Sequence, residues 1–226
     1  MAIEKETKKT KKEEKKEIKE IREVEEKEKS FFFPRFVAYI IDIVLIFVLS
    51  AVLLGSIPTN KNHERYVEEY KQIQQDYKDK KIKEKEYVNK SKDIVYDIDY
   101  TNSIVALGQI AILIGYFVIL QYFLKGQTIG KKIMKIKVIS VKDGDLNLNQ
   151  LTLRSLIANS ILVNLLLVIA VLFIGRDYYY YASMILQFLD SAIIMAIILM
   201  IIFKKDKRGL HDILTGTKVV SSVDGD

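Results

Sequence analysis

The chain contains no cysteine. That excludes a disulfide framework and any thiolate metal or redox centre, and it leaves the compartment open. Histidine occurs only as His63 and His211, which the topology argued below places on opposite sides of a membrane, so no histidine metal site is expected. No Ser/His/Asp or paired-carboxylate arrangement points to hydrolysis. Neither an enzyme activity nor a cofactor is therefore expected. No signal peptide is expected either, because the charged opening is far longer than an n-region. The segment GQTIGKK (126–132) lacks the four-residue spacing and the Lys-Ser/Thr pair of a phosphate-binding loop.

What is present is strongly segregated. Half of the 226 residues are hydrophobic and 28% are charged. The charges crowd residues 1–29, 61–99 and 204–226, with long apolar runs between them. Such a pattern belongs to a small polytopic membrane protein, not to a soluble globule. The formal charge of +6 does not indicate nucleic acid, since the bases are mixed with acids and flank apolar runs.

Four runs approach the roughly 20 apolar residues that span a bilayer as a helix: 36–57, 103–124, 156–174 and 183–203. The loop Lys125–Arg154 is rich in lysine, whereas Gly175–Ala182 carries only Arg176, beside Asp177. Retention of basic loops in the cytoplasm then places both termini inside. The fold expected is an all-α membrane protein with four transmembrane helices and both termini cytoplasmic. A small cytoplasmic β-hairpin and an extracytoplasmic helical insertion complete it. Residues 1–30 read as a charged, disordered tail, 31–221 as the membrane domain with an insertion at 58–102, and 222–226 as a C-terminal tail.

Within the insertion, Val67, Tyr70, Ile73 and Tyr77 recur at helical spacing, predicting an exposed helix or helical hairpin. In the cytoplasmic loop, Thr128 is placed to cap a short helix through Ile133. Lys135–Val141 alternates as a strand does, Asp143-Gly144 is a turn dipeptide, and Leu146–Leu148 alternates again, predicting the hairpin. Gly216–Ser221 is available as a third strand. The basic residues of this loop are expected to lie against anionic lipid.

Polar residues inside the spans are the candidates for function. Arg35 and Asp42 are seven residues apart, so they share a helix face about 10 Å apart along the axis. Asp190 and Gln187 fall on one stripe of the fourth span, and Asn164 lies on the third. With Asp42 they line a relay for a cation or proton, or else they hydrogen-bond helix to helix. Ala51-x-x-x-Gly55 and Ala111-x-x-x-Gly115 carry the small-residue spacing of close helix packing, within one chain or between copies of a homo-oligomer.

Three pieces in register carry a resemblance: FPRFVAYIIDIVLI, GQTIGKKIMKIKVISVKDGDLNLNQLTLRSL and DKRGLHDILTGTKVV. Together they resemble the RDD family of integral membrane proteins, over residues 31–57 and 103–221. The resemblance maps the family's arginine and aspartates onto Arg35, Asp42 and Asp212. It maps the loop motif onto Gly126, Gly130 and Lys131, the Asp-Gly turn onto Asp143 and Gly144, and the Leu-Arg pair onto Leu153 and Arg154. It implies transport of unspecified ligands, with cation/proton antiport in some members. The expectation is therefore a small carrier or carrier component for a cation, proton or small solute, with a partner-docking scaffold as the alternative. Its place would be a bacterial plasma membrane, crossed several times. Arg35, between Asp42 and Asp212, is expected to link the two carboxylates as a gate or clamp.

Overall fold

A computed structural model describes residues 32–58, 60–142 and 145–222. The expected tail 1–30, the Asp143-Gly144 turn and residues 223–226 lie outside them. The first apolar run forms helix α1 (Phe32–Leu54). Most of its side chains are exposed, and Ala38, Asp42 and Ile46, spaced by four, make a narrow buried seam. The insertion forms α2 (His63–Lys78), which folds back on the start of α3 (Glu84–Phe123). A helical hairpin is thus present, and its second limb runs unbroken into the second apolar run. The span expected at 103–124 is the distal half of a 40-residue helix.

Near its end α3 widens into a π-helical turn, Gly115–Leu120. Such a turn re-aims side chains and disturbs the regular backbone ladder. Here Tyr116 and Phe117 are buried, and the Ser155 hydroxyl donates to the Phe117 carbonyl at 2.9 Å.

The loop that follows contains α4 (Ile129–Ile133), capped by the Thr128 hydroxyl, and strand β1 (Ile136–Ser140). The expected local hairpin does not form. Residues 145–147 are irregular, and Asn147 with Gln150 makes a reciprocal capping box that starts α5 (Leu148–Ala158). The strand partner is the tail: β2 (Thr217–Ser221) pairs antiparallel with β1, Val138 opposite Val219. Two inward faces decide the pairing, since Ile136, Val138 and Val219 pack with Ala38 of α1.

The third apolar run is not one straight helix either. It breaks at Asn159-Ser160, where Ser160 takes φ 55°, and α5 meets α6 (Ile161–Phe173) at 70°. At 13 residues, α6 alone reaches only about 20 Å. The fourth run lies in α7 (Arg176–Phe203), the least covered of the three long apolar helices, with only 6% of its most apolar window buried. A short helix α8 (Leu210–Thr215) returns the chain to the sheet. Within the chain, the glycines of the two small-residue pairs expected to mark helix contacts do not meet another helix. Nothing lies near Gly115, and Gly55 faces its own backbone; close approach occurs at Gly108, against Leu54.

At the end of the molecule far from the sheet, Arg176 meets Asp97 at 2.6 Å and the Tyr179 hydroxyl donates to Asp99 at 2.6 Å. These contacts fasten α7 to α3.

Candidate functional site

Asp42 is the first organising residue of the sheet end. It is fully buried, on an apolar helix, where an uncompensated carboxylate is costly. The chain surrounds it with donors. Tyr116 Oη donates to Oδ1 at 2.6 Å, the Gly130 N–H donates to Oδ1 at 2.8 Å, and Thr128 Oγ1 donates to Oδ2 at 2.6 Å. The same Thr128 oxygen accepts from the Lys131 N–H at 3.3 Å. One carboxylate therefore ties α1 to the π turn of α3 and to the start of α4. The docking depends on glycine: a Cβ at Gly130 would sit 2.2 Å from the Ala38 carbonyl oxygen and 2.7 Å from Asp42 Oδ1. Gly126 serves the turn before it, at φ 92° against the Val138 carbonyl.

Asp212 is the second. It too is fully buried, in the first turn of α8. Its Oδ1 is ion-paired with Arg154 Nη1 and accepts from Thr217 Oγ1 at 3.2 Å; its Oδ2 accepts from the Gly209 N–H at 3.2 Å. His211 Nε2 lies 3.4 Å from Oδ2, and Arg35 Nη1 lies 3.6 Å from it. The structure thus brings Arg35, Arg154 and Asp212 together and does not pair Arg35 with Asp42. The Arg35 guanidinium donates to the Lys207 carbonyl at 2.7 Å. With Asp42 already satisfied by neutral donors, the shared-arginine bridge expected between the two carboxylates is not formed.

Between α1 and α7 lies a cavity of about 270 Å³. Phe36 and Tyr39 form one wall, and Ile194 and Ile198 the other. Its floor is polar, with Arg35, Lys131, Arg154 and His211. Lys131 lines the cavity and is partly buried. Among the described residues its ammonium has neither an ion pair nor a hydrogen bond; the Phe117 ring is 6.0 Å away. Burial, and then the Arg154 and Arg35 charges, bring its pKa down to about 7, against a smaller pull upward from Asp42. The same floor holds His211 neutral: burial and the cations Arg154, Arg35 and Lys131 lower its pKa well below the usual range. Arg35 Nε and His211 Nδ1 are buried without hydrogen-bond partners among the described residues.

The expected membrane relay does not assemble. Asn164 is exposed and its amide donates to the Ser160 carbonyl at 2.9 Å; Gln187 is exposed; Asp190 is half-buried. Among the described residues no hydrogen bond or ion pair joins any two of them, and none reaches Asp42. Sequence reasoning did not single out Tyr116 as a partner of Asp42. The available signal was a phenol at a depth close to that of Asp42, on the next span.

Three helices are long and apolar enough to cross a membrane, and the bent pair α5–α6 is a fourth, broken candidate. With so much apolar surface outside and its buried charges gathered at one end, the chain is built as a small polytopic membrane protein. Residues 30–216 match the RDD family, and the chain belongs to that family of membrane proteins. No curated protein and no solved structure matches it.

Proposed function

We propose that the protein is a non-enzymatic carrier or carrier component that holds a small solute in the cavity between α1 and α7. The observation that carries this reading is the unpartnered Lys131 ammonium facing that cavity, beside the unsatisfied Arg35 Nε. Buried polar groups are ordinarily paired, and a cavity with a few convergent polar groups is the usual form of a ligand site. Asp42 is a structural anchor in this account, because both of its oxygens are occupied by donors. A cation in the cavity would face three basic side chains, and the lining carboxylate Asp42 is already taken up by donors, so a neutral or anionic solute fits better.

The basic loop faces the cytoplasm with both termini, the α2–α3 hairpin lies outside, and the membrane is a plasma membrane. The working form is a homo-oligomer. Gln187, Asp190 and Ser191 lie on α7, whose apolar window is almost wholly uncovered, and polar groups at membrane depth need protein around them.

Solute flux in proteoliposomes tests the reading, comparing the intact chain with Lys131→Met. Flux that the substitution abolishes supports a carrier. Absence of flux of cations, anions and neutral solutes under every imposed gradient would favour the docking scaffold.

A further inference from the structure

The cavity has two chemically different halves. Arg35, Lys131 and Arg154 line it, and so does Asp42, but the oxygens of Asp42 and of Asp212 beyond it are already committed to donors. Arg154 is paired with Asp212 and Arg35 lies 3.6 Å from the same carboxylate, which leaves Lys131 without a counter-ion of its own among the described residues. Its walls are apolar, and Phe36, Tyr39 and Ile198 are themselves exposed on the outer surface of α1 and α7. The cavity is therefore bordered on one side by apolar side chains that also face the outer surface. Its volume of about 270 Å³ is the room of roughly nine waters. That suits a headgroup and the first part of a chain, with the remainder left in the bilayer.

We propose that this site binds an anionic amphiphile, a phosphate or carboxylate headgroup on an alkyl chain. The headgroup sits against Lys131 and Arg35 and the chain passes out between Phe36 and Ile198. The headgroup supplies the counter-ion that Lys131 lacks, and a charge-assisted hydrogen bond in a water-poor site is among the stronger polar contacts. The alkyl chain replaces lipid along walls that are already apolar. This deepens the reading of the cavity as a ligand site and does not depend on transport.

The test uses the full chain, delipidated in a neutral maltoside. Dodecyl phosphate, dodecyltrimethylammonium and inorganic phosphate are titrated separately, with binding read by thermophoresis. Dodecyl phosphate should bind at least tenfold more tightly than either of the others. Lys131→Met should weaken it at least tenfold, and Lys131→Arg should keep most of the affinity. Phosphatidylglycerol and lysophosphatidylglycerol are then used as competitors. Displacement by the first identifies a two-chain membrane lipid, and displacement by the second alone a single-chain amphiphile. Equal binding of the cationic surfactant, an affinity unchanged in Lys131→Met, or binding of inorganic phosphate as tight as that of dodecyl phosphate would overturn the proposal. Binding without flux would leave this inference standing and remove the carrier, whereas flux without amphiphile binding would do the reverse.

Discussion

Asp42 and Asp212 look alike in the sequence, each a carboxylate near a basic residue. Their environments differ in kind. Asp42 is neutralised by three hydrogen-bond donors without a formal charge, whereas Asp212 is held by Arg154, with Arg35 close by. This distinction was not legible in the chain, because the helical spacing of Arg35 and Asp42 makes a pairing available without requiring it. What decided against it was the loop helix α4, which reaches Asp42 first through Thr128 and Gly130. Asp42→Asn keeps the shape but offers one acceptor oxygen where three donors converge, leaving at least one buried donor unsatisfied. Such a loss costs about 1–3 kcal/mol. Thermal unfolding in mild detergent should show Asp42→Asn well below the intact chain. Gly130→Ala should be at least as damaging, because the obstacle it meets is backbone. An unchanged midpoint for either variant would remove Asp42 as the anchor.

Among the elements, the apolar runs were readable and their ends were not. Length and hydropathy located α1 and α7, because the bilayer requirement is a property of a run of residues and not of its neighbours. The start of α3 at Glu84, far ahead of the apolar run, follows from its packing against α2. The break at Ser160 depends on the partners of α5, not on a local breaker such as proline. The tail strand expected at Gly216–Ser221 forms and pairs with β1, whereas the expected hairpin strand at Leu146–Leu148 does not, for a related reason. Asp143-Gly144 is a good turn signal, but Asn147 and Gln150 form a capping box that commits the next residues to helix, and the matching apolar face lies in the tail. The alternation of β2 makes a sharp prediction. Val219 is buried and Lys218 exposed. Val219→Asp should unfold the sheet end at a cost of more than about 2 kcal/mol, since it buries an unpaired charge, while Lys218→Asp should stay within about 0.5 kcal/mol of the intact chain. Circular dichroism melts of the two variants decide it; equal effects would mean that the tail does not dock on β1.

The molecule as a whole is polarised. One end closes with the Arg176–Asp97 and Tyr179–Asp99 contacts, and the other carries the sheet, the two anchored aspartates and the cavity floor. Polarity of this kind fits a fixed orientation in the bilayer, the basic loop inside and the α2–α3 hairpin outside. Because the chain has no cysteine, single cysteines can report on it. Cysteines at the exposed positions Asp79 and Tyr178 should react with an impermeant maleimide from outside, and those at Lys132 and Lys218 only after permeabilisation. Labelling of position 218 in intact cells would reverse the orientation.

The central claim is that this polarised chain keeps an unpaired, partly buried lysine against the cavity, and the stability of the whole molecule registers it. The groups around Lys131 are Asp42 and Arg35 from α1, Arg154 from α5 and His211 from α8. The folded pKa of Lys131, about 7, lies below its ordinary value of 10.5. The unfolded chain therefore binds more protons across that interval, and stability must rise with pH through it, by up to about 1.4 kcal/mol per pH unit. Below pH 7 the cost of charging Lys131 is fully present. The measurement is the thermal midpoint of the ligand-free full chain from pH 6.5 to 9.5, beside Lys131→Met. The account predicts a midpoint that climbs with pH in the intact chain and a flatter profile in the variant. A midpoint that is level or falls with pH in the intact chain, or the same profile in both proteins, would contradict it.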